Sequence, residues 1–214
     1  MTGEGTRAVH GPTPRPVTQQ PVAPPLYRTT TFQFDSGRHT ADVFAGRADG
    51  WSYSRTDNPT AAAFADAVAA LEDRTGAATG QPFASGSAAT ATTLMALCSA
   101  GSHVVAPQEV YGGTWSILTR QLARFGVQTD FVDMTDPEAV RAAIRPATAV
   151  VWGEVLANPS MTVTDLPAVA AVAREAGVPF VVDATFASPV VCRPLEHGAD
   201  LVMHSATKYL NGHS

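Results

Sequence analysis

From Pro59 onward, short apolar runs alternate with longer stretches in which apolar residues return every three or four positions. The runs at 103–106, 127–132, 149–155, 180–182 and 201–203 predict strands, and 81–84 reads as a further short one. Between them the spacing predicts helices over 88–99, 114–125, 137–144 and 166–176. Ile117, Leu118 and Leu122 form the inward face of the second; Asp136 caps the third, with Pro137 at its first position. An Ala-rich helix over 61–73, capped by Thr60, should bury Phe64, Val68 and Leu71. Apolar strands separated by helices imply right-handed βαβ units and a parallel sheet covered on both faces, an α/β fold. Before Pro59 the texture differs. Residues 1–25 hold six prolines, which reads as an extended arm, and 46–58 is a polar and aromatic loop.

Composition narrows the function classes. With 14 Lys+Arg against 19 Asp+Glu, the formal charge is −5 and no basic stripe invites nucleic acid. Two distant cysteines, Cys98 and Cys192, suggest neither a disulfide framework nor a zinc site, and point to a reducing, cytosolic setting. No run approaches the roughly 20 apolar residues of a membrane span, and residues 1–25 lack the apolar core of a signal peptide. His204 and His213 have no third ligand at a metal-binding spacing, so no metal site is expected. Thirteen of the 14 basic residues are arginine. The exception is Lys208.

In parallel α/β sheets ligands sit at the carboxyl ends of the strands. Four polar clusters fall there: Ser85-Gly86-Ser87, Tyr111-Gly112-Gly113-Thr114, Asp183-Ala184-Thr185 and Ser205-Ala206-Thr207-Lys208. Each has an ordinary reading when taken alone. Ser85 can cap a helix, Asp183 can make a structural hydrogen bond, Tyr111 can be an aromatic at the core's edge, and Lys208 can be solvated. Together they fit pyridoxal 5′-phosphate (PLP), which needs an amine, an anion site for its phosphate, a carboxylate for its ring nitrogen and a flat partner for its ring. A carboxylate about 4 Å from the ring nitrogen, at an effective dielectric near 20, contributes about 4 kcal/mol toward the protonated ring. The sequence has neither GxGxxG nor GxxxxGK[ST], which weakens dinucleotide and P-loop alternatives.

The chain also resembles a known family, the PLP-dependent Cys/Met metabolism (trans-sulfuration) enzymes. The resemblance rests on Tyr53-Ser54-Arg55-Thr56-Asp57-Asn58-Pro59-Thr60, Tyr111-Gly112-Gly113-Thr114, Asn158-Pro159, Val182-Asp183-Ala184-Thr185-Phe186, and the long stretch from Pro194 through His204-Ser205-Ala206-Thr207-Lys208-Tyr209-Leu210-Asn211-Gly212-His213-Ser214. It implies the PLP-dependent transferase fold type I, like aspartate aminotransferase, and chemistry on a sulfur amino acid or activated homoserine. It also implies residue roles. Lys208 would be the Schiff-base lysine and proton carrier, Asp183 the partner of the ring nitrogen, and Asn158 that of the phenolic oxygen. Tyr111 would stack on the ring, while Gly86, Ser87, Ser205 and Thr207 would hold the phosphate. Tyr53 and Arg55 would reach the phosphate of a neighbouring subunit, making a homodimer the minimal site and a tetramer the usual assembly.

Some positions depart from the family pattern. Ala184 stands where an Asn is usual, Ser87 where a Met is usual, and Gly113 where methionine γ-lyases carry Cys. The resemblance divides the chain into an arm and inter-subunit loop (1–58) and part of a PLP-binding large domain (59–214), with the family's C-terminal domain absent. Three readings stay open. One is a γ-elimination or γ-replacement enzyme of the cystathionine γ-synthase or γ-lyase kind, or the related acyl-homoserine sulfhydrylase or methionine γ-lyase. The second is a non-catalytic PLP-binding fragment, and the third a phosphate-binding α/β module without covalent chemistry. The third leaves Lys208, Asp183 and Tyr111 without a common purpose.

Overall fold

Five parallel strands build the sheet in the computed structural model, which describes residues 19–212. The strands are β1 (His103–Pro107), β2 (Gln128–Val132), β3 (Thr148–Glu154), β4 (Phe180–Asp183) and β5 (Leu201–Met203), in the spatial order β2-β1-β3-β4-β5. The helices are α1 (Gly37–Phe44), α2 (Pro59–Glu72), α3 (Gly86–Leu97), α4 (Gly112–Ser116), α5 (Pro137–Ala143) and α6 (Leu166–Ala176). The helix predicted over 114–125 is one continuous coil of changing pitch. α4 widens into a π-helical turn (Ile117–Gln121) and tightens into a 3₁₀ turn (Leu122–Phe125), and Gly126 closes it in the left-handed conformation.

The central strands are buried on both faces, and the two-residue repeat of a strand assigns alternate side chains to opposite layers. Val104, Val150, Trp152 and Val181 pack with Leu94 of α3 and with Ile117, Leu118 and Leu122 on one face. Val105, Val151, Phe180 and Val182 pack with Val140 of α5 and Val169, Val172 and Ala173 of α6 on the other. The caps follow sequence rules: Asp136 and Asp165 accept hydrogen bonds from Glu138 N and Ala168 N, and each helix has proline in its first turn.

Three local expectations are corrected. Residues 81–84 form no strand, since the segment makes no ladder with the sheet. Asn58, not Thr60, caps α2: its Oδ1 accepts from Thr60 N, while the Thr60 hydroxyl donates to Pro25 O and accepts from Tyr27 N. Phe64 and Leu71 are exposed on α2, whose buried positions are Ala65 and Glu72. The Ala-rich segment has apolar side chains all round, so periodicity could not choose its inner face.

The described residues divide into two compact units between Ala63 and Phe64. In the first, Thr31 and Tyr53 form an antiparallel bridge, and Asn58 Nδ2 donates to Tyr27 O and Ser54 Oγ. The Arg55 guanidinium lies 4.6 Å over the Tyr53 ring. His213 and much of the Pro-rich stretch lie outside the described residues. Among those described, no helix is long and apolar enough to cross a membrane.

Candidate functional site

The chain leaves β1 in one direction to β2 and returns to place β3 on the other side of β1. Loops therefore part at the carboxyl ends of β1 and β3, where α/β sheets open a ligand crevice. A cavity of about 290 Å³ lies there, within the second unit. Eight of the ten residues singled out by sequence line it: Gly86, Ser87, Tyr111, Asn158, Asp183, Ser205, Thr207 and Lys208. Tyr53 and Arg55 belong to the first unit.

One wall is an anion cradle. Ser85 caps α3 by accepting from Ala88 N at 3.1 Å, and helix geometry leaves the amides of the first turn, Gly86 and Ser87, without an intrahelical acceptor. Facing them, the Ser205 and Thr207 hydroxyls lie 2.9 Å apart. Ser205 N donates to Thr185 Oγ1, which ties this segment to the end of β4. The approach requires glycine at 86, because a Cβ there would lie 2.6 Å from Ser205 Cβ.

The opposite wall is acidic and buried. β3 and β4 end in register at Glu154 and Asp183, both buried. Burial pushes the Asp183 carboxyl up, opposed by hydrogen bonding to Thr185 and by the charge of His204. Asp183 Oδ1 accepts from Thr185 N at 2.9 Å. Burial also pushes Glu154 up, to about 7; a hydrogen bond from Tyr111 N at 2.7 Å pulls against this and the Asp183 charge adds to it. Tyr111, 49% exposed, edges the cavity with its ring over the start of α4, where a Cβ at Gly113 would lie 2.4 Å from Tyr111 Cε1. Lys208 lines the mouth with an exposed side chain, immediately after the cradle residues.

Sequence reasoning missed Glu154 as a member of this wall, whereas Thr185 and the buried Thr114 belong to the polar clusters it placed at the strand ends. Glu154 had a signal: like Asp183, it is a carboxylate ending an apolar strand.

An amine, a buried carboxylate and an anion cradle around one cavity are the donor set that PLP needs. The family model described as Cys/Met metabolism PLP-dependent enzyme matches residues 5–214. This chain belongs to that family. Among its curated relatives, a probable cystathionine gamma-synthase of Herpetosiphon aurantiacus is 46% identical over 214 residues, covering 99% of this chain and 63% of the relative. An L-methionine gamma-lyase of Porphyromonas gingivalis is 43% identical over 213 residues, covering 99% of this chain and 52% of its own length. The crystal structure of the Campylobacter jejuni metY protein superposes with a TM-score of 0.85 at 31% identity, over 91% of this chain and 48% of that one. That structure contains N′-pyridoxyl-lysine-5′-monophosphate. The trans-sulfuration family is thus PLP-dependent, and its α/β fold with a parallel sheet is the one found here. The chain spans about half to two thirds of the length of these relatives.

Proposed function

We propose that this chain supplies the cofactor-binding half-site of a PLP-dependent trans-sulfuration enzyme. The reaction class is γ-elimination or γ-replacement on a homoserine-derived or cystathionine-type amino acid. The convergence of the Lys208 side chain, Asp183 and the cradle of α3 on one cavity carries this reading. PLP, when bound, supplies an electron sink that stabilises negative charge on the substrate carbons.

The protein's part is to hold, orient and move protons. Lys208 would supply the amine that holds the cofactor and, once displaced from it by the substrate's amine, would carry a proton between neighbouring substrate carbons. Asp183 favours a protonated ring nitrogen, and Asn158 donates to the phenolic oxygen. Tyr111, at the cavity's edge, stacks on the ring and assists proton transfer. Gly86 and Ser87 bind the phosphate through backbone N–H groups, and Ser205 and Thr207 through hydroxyls. Tyr53 and Arg55, already stacked on each other, complete the phosphate site of a neighbouring subunit in a homodimer or tetramer, where Arg suits bidentate contact. A soluble, cytoplasmic enzyme belongs to the same reading.

The test is direct. PLP added to the full chain should give the visible absorbance of lysine-bound cofactor, and borohydride should fix the added mass on the peptide containing Lys208. Lys208→Ala should lose both. An unchanged spectrum in that variant overturns the assignment.

A further inference from the structure

Next to the acidic wall lies a buried Glu–His pair that the cofactor site does not use. Glu72 ends α2 and His204 follows β5; their side chains are 5% and 6% exposed, and His204 Nε2 is hydrogen-bonded to Glu72 Oε1. The far atom of each group, His204 Nδ1 and Glu72 Oε2, is buried without a hydrogen-bond partner. Such a pair is expensive to desolvate and weak evidence for stability by itself. Its position is more telling. Asp183 and Met203 are register partners between β4 and β5, so His204 is the residue just past the partner of Asp183. It also directly precedes the segment that carries Ser205, Thr207 and Lys208.

We propose that Glu72 and His204 are a positioning pair for the cofactor site: Glu72 fixes the His204 imidazole beside the strand end that carries Asp183, so that the pair favours the Asp183 anion that the cofactor's ring nitrogen needs. The inference rests on the PLP reading above. Asp183 needs such help, because burial favours its neutral form and Glu154 adds a second carboxyl at the same strand ends. The His204 charge works in the opposite direction, favouring the Asp183 anion. The other ionisable groups nearby do not supply this. Cys192, close to Glu72, is pushed up by burial and stays neutral. Arg193 donates to Leu71 O and faces Glu196. The pair also fastens the last residue of α2 to the start of the lysine-bearing segment, so charge and position are set by one contact.

The experiment follows the Asp183 carboxyl carbon by NMR in the full cofactor-free chain labelled with ¹³C-aspartate. In His204→Gln and in Glu72→Gln its titration midpoint should rise by about one pH unit, the low end for loss of an opposite charge at close range. The double variant should move it no further, because the two groups act as a unit. An unmoved midpoint in both single variants, or additive changes, overturns the proposal. PLP binding gives the second readout. Each variant should weaken it about tenfold on the acid side of the profile, since a midpoint displaced by about one pH unit changes the anion fraction about tenfold there, and little on the alkaline side. A loss equal at every pH marks a merely structural role and also overturns it. Should the variants fail to fold, the unaltered chain decides: a slowly exchanging Nε2 proton on His204 supports the pair, and its absence refutes it. Failure of the parent chain to take up PLP would sink the PLP reading, whereas the Asp183 titration judges the pair separately.

Discussion

Replacing Glu154 with glutamine exchanges a carboxyl for an amide of nearly the same shape. The glutamine oxygen can still accept the hydrogen bond from Tyr111 N, which spans 2.7 Å to Glu154 Oε1. What changes is the ability to ionise. Burial lifts Glu154 from an ordinary value of 4.5 to about 7, so between these limits the folded chain keeps a proton that the unfolded chain has released. Fewer protons on the unfolded state mean that stability falls as pH rises through this window. Above it the cost is constant. A displacement of about 2.5 pH units corresponds to about 3 kcal/mol, at about 1.4 kcal/mol for each. Glu154→Gln escapes this cost. Urea unfolding of the cofactor-free chain should therefore find the variant about equal to the parent near pH 4, and more stable by about 3 kcal/mol near pH 8.5. A difference that stays flat across pH, or a variant less stable than the parent at alkaline pH, would refute the claim that Glu154 is the strained carboxyl of this wall.

Gly86→Ala should place a methyl 2.6 Å from Ser205 Cβ and open the cradle, weakening PLP binding on the order of tenfold or more, read by fluorescence titration, with helix content unchanged. His103 is fully buried at the start of β1, with Nδ1 2.8 Å from Thr148 Oγ1; burial and the nearby Arg145 push its pKa below 6.5, against the pull of Asp130. The folded chain resists a proton that the unfolded chain accepts, so stability is complete above about pH 6.5 and declines below it; His103→Gln should show a shallower acid slope in urea midpoints. Leu94→Ala empties a fully buried position between α3 and the sheet and should lower unfolding free energy by about 2–5 kcal/mol, measured by the same denaturation.

How legible the molecule was depends on what each signal reports. Apolar runs bounded by breakers located all five strands within a residue or two, and most plainly β1, β3 and β4, because a strand buried on both faces must be apolar throughout. Asp136 and Pro137 announced the start of α5 by composition alone. The Ala-rich α2 gave no such guide: small residues on every side let packing choose Ala65 and Glu72 as its buried positions. A buried glutamate on that face makes sense only once His204, 132 residues away in sequence, is beside it. The site showed the same divide. Residues with distinctive chemistry, Lys208 and Asp183, stood out locally, whereas Glu154 needed the register of β3 against β4 to become part of a pair.

That register carries the electrostatic logic of the site. Two carboxylates at adjacent strand ends cannot both ionise cheaply in a buried wall, so their environments must decide which one yields. Asp183 accepts from Thr185 N and has the His204 charge behind it. Glu154 is pushed up to about 7 by burial, with the Asp183 charge adding to it and one backbone donor, Tyr111 N, pulling against it. Thr185 and His204 thus favour the Asp183 anion against the burial that pushes it up, whereas Glu154 is held up to about 7. Asp183→Asn in an otherwise intact chain removes the one neighbouring charge that adds to the burial of Glu154. Its carboxyl carbon should then titrate below 7, with burial still holding it above its ordinary 4.5, since the neighbouring charge that added to the effect of burial is gone. A Glu154 midpoint unmoved by Asp183→Asn would show that burial alone sets it and that the two strand ends are not coupled.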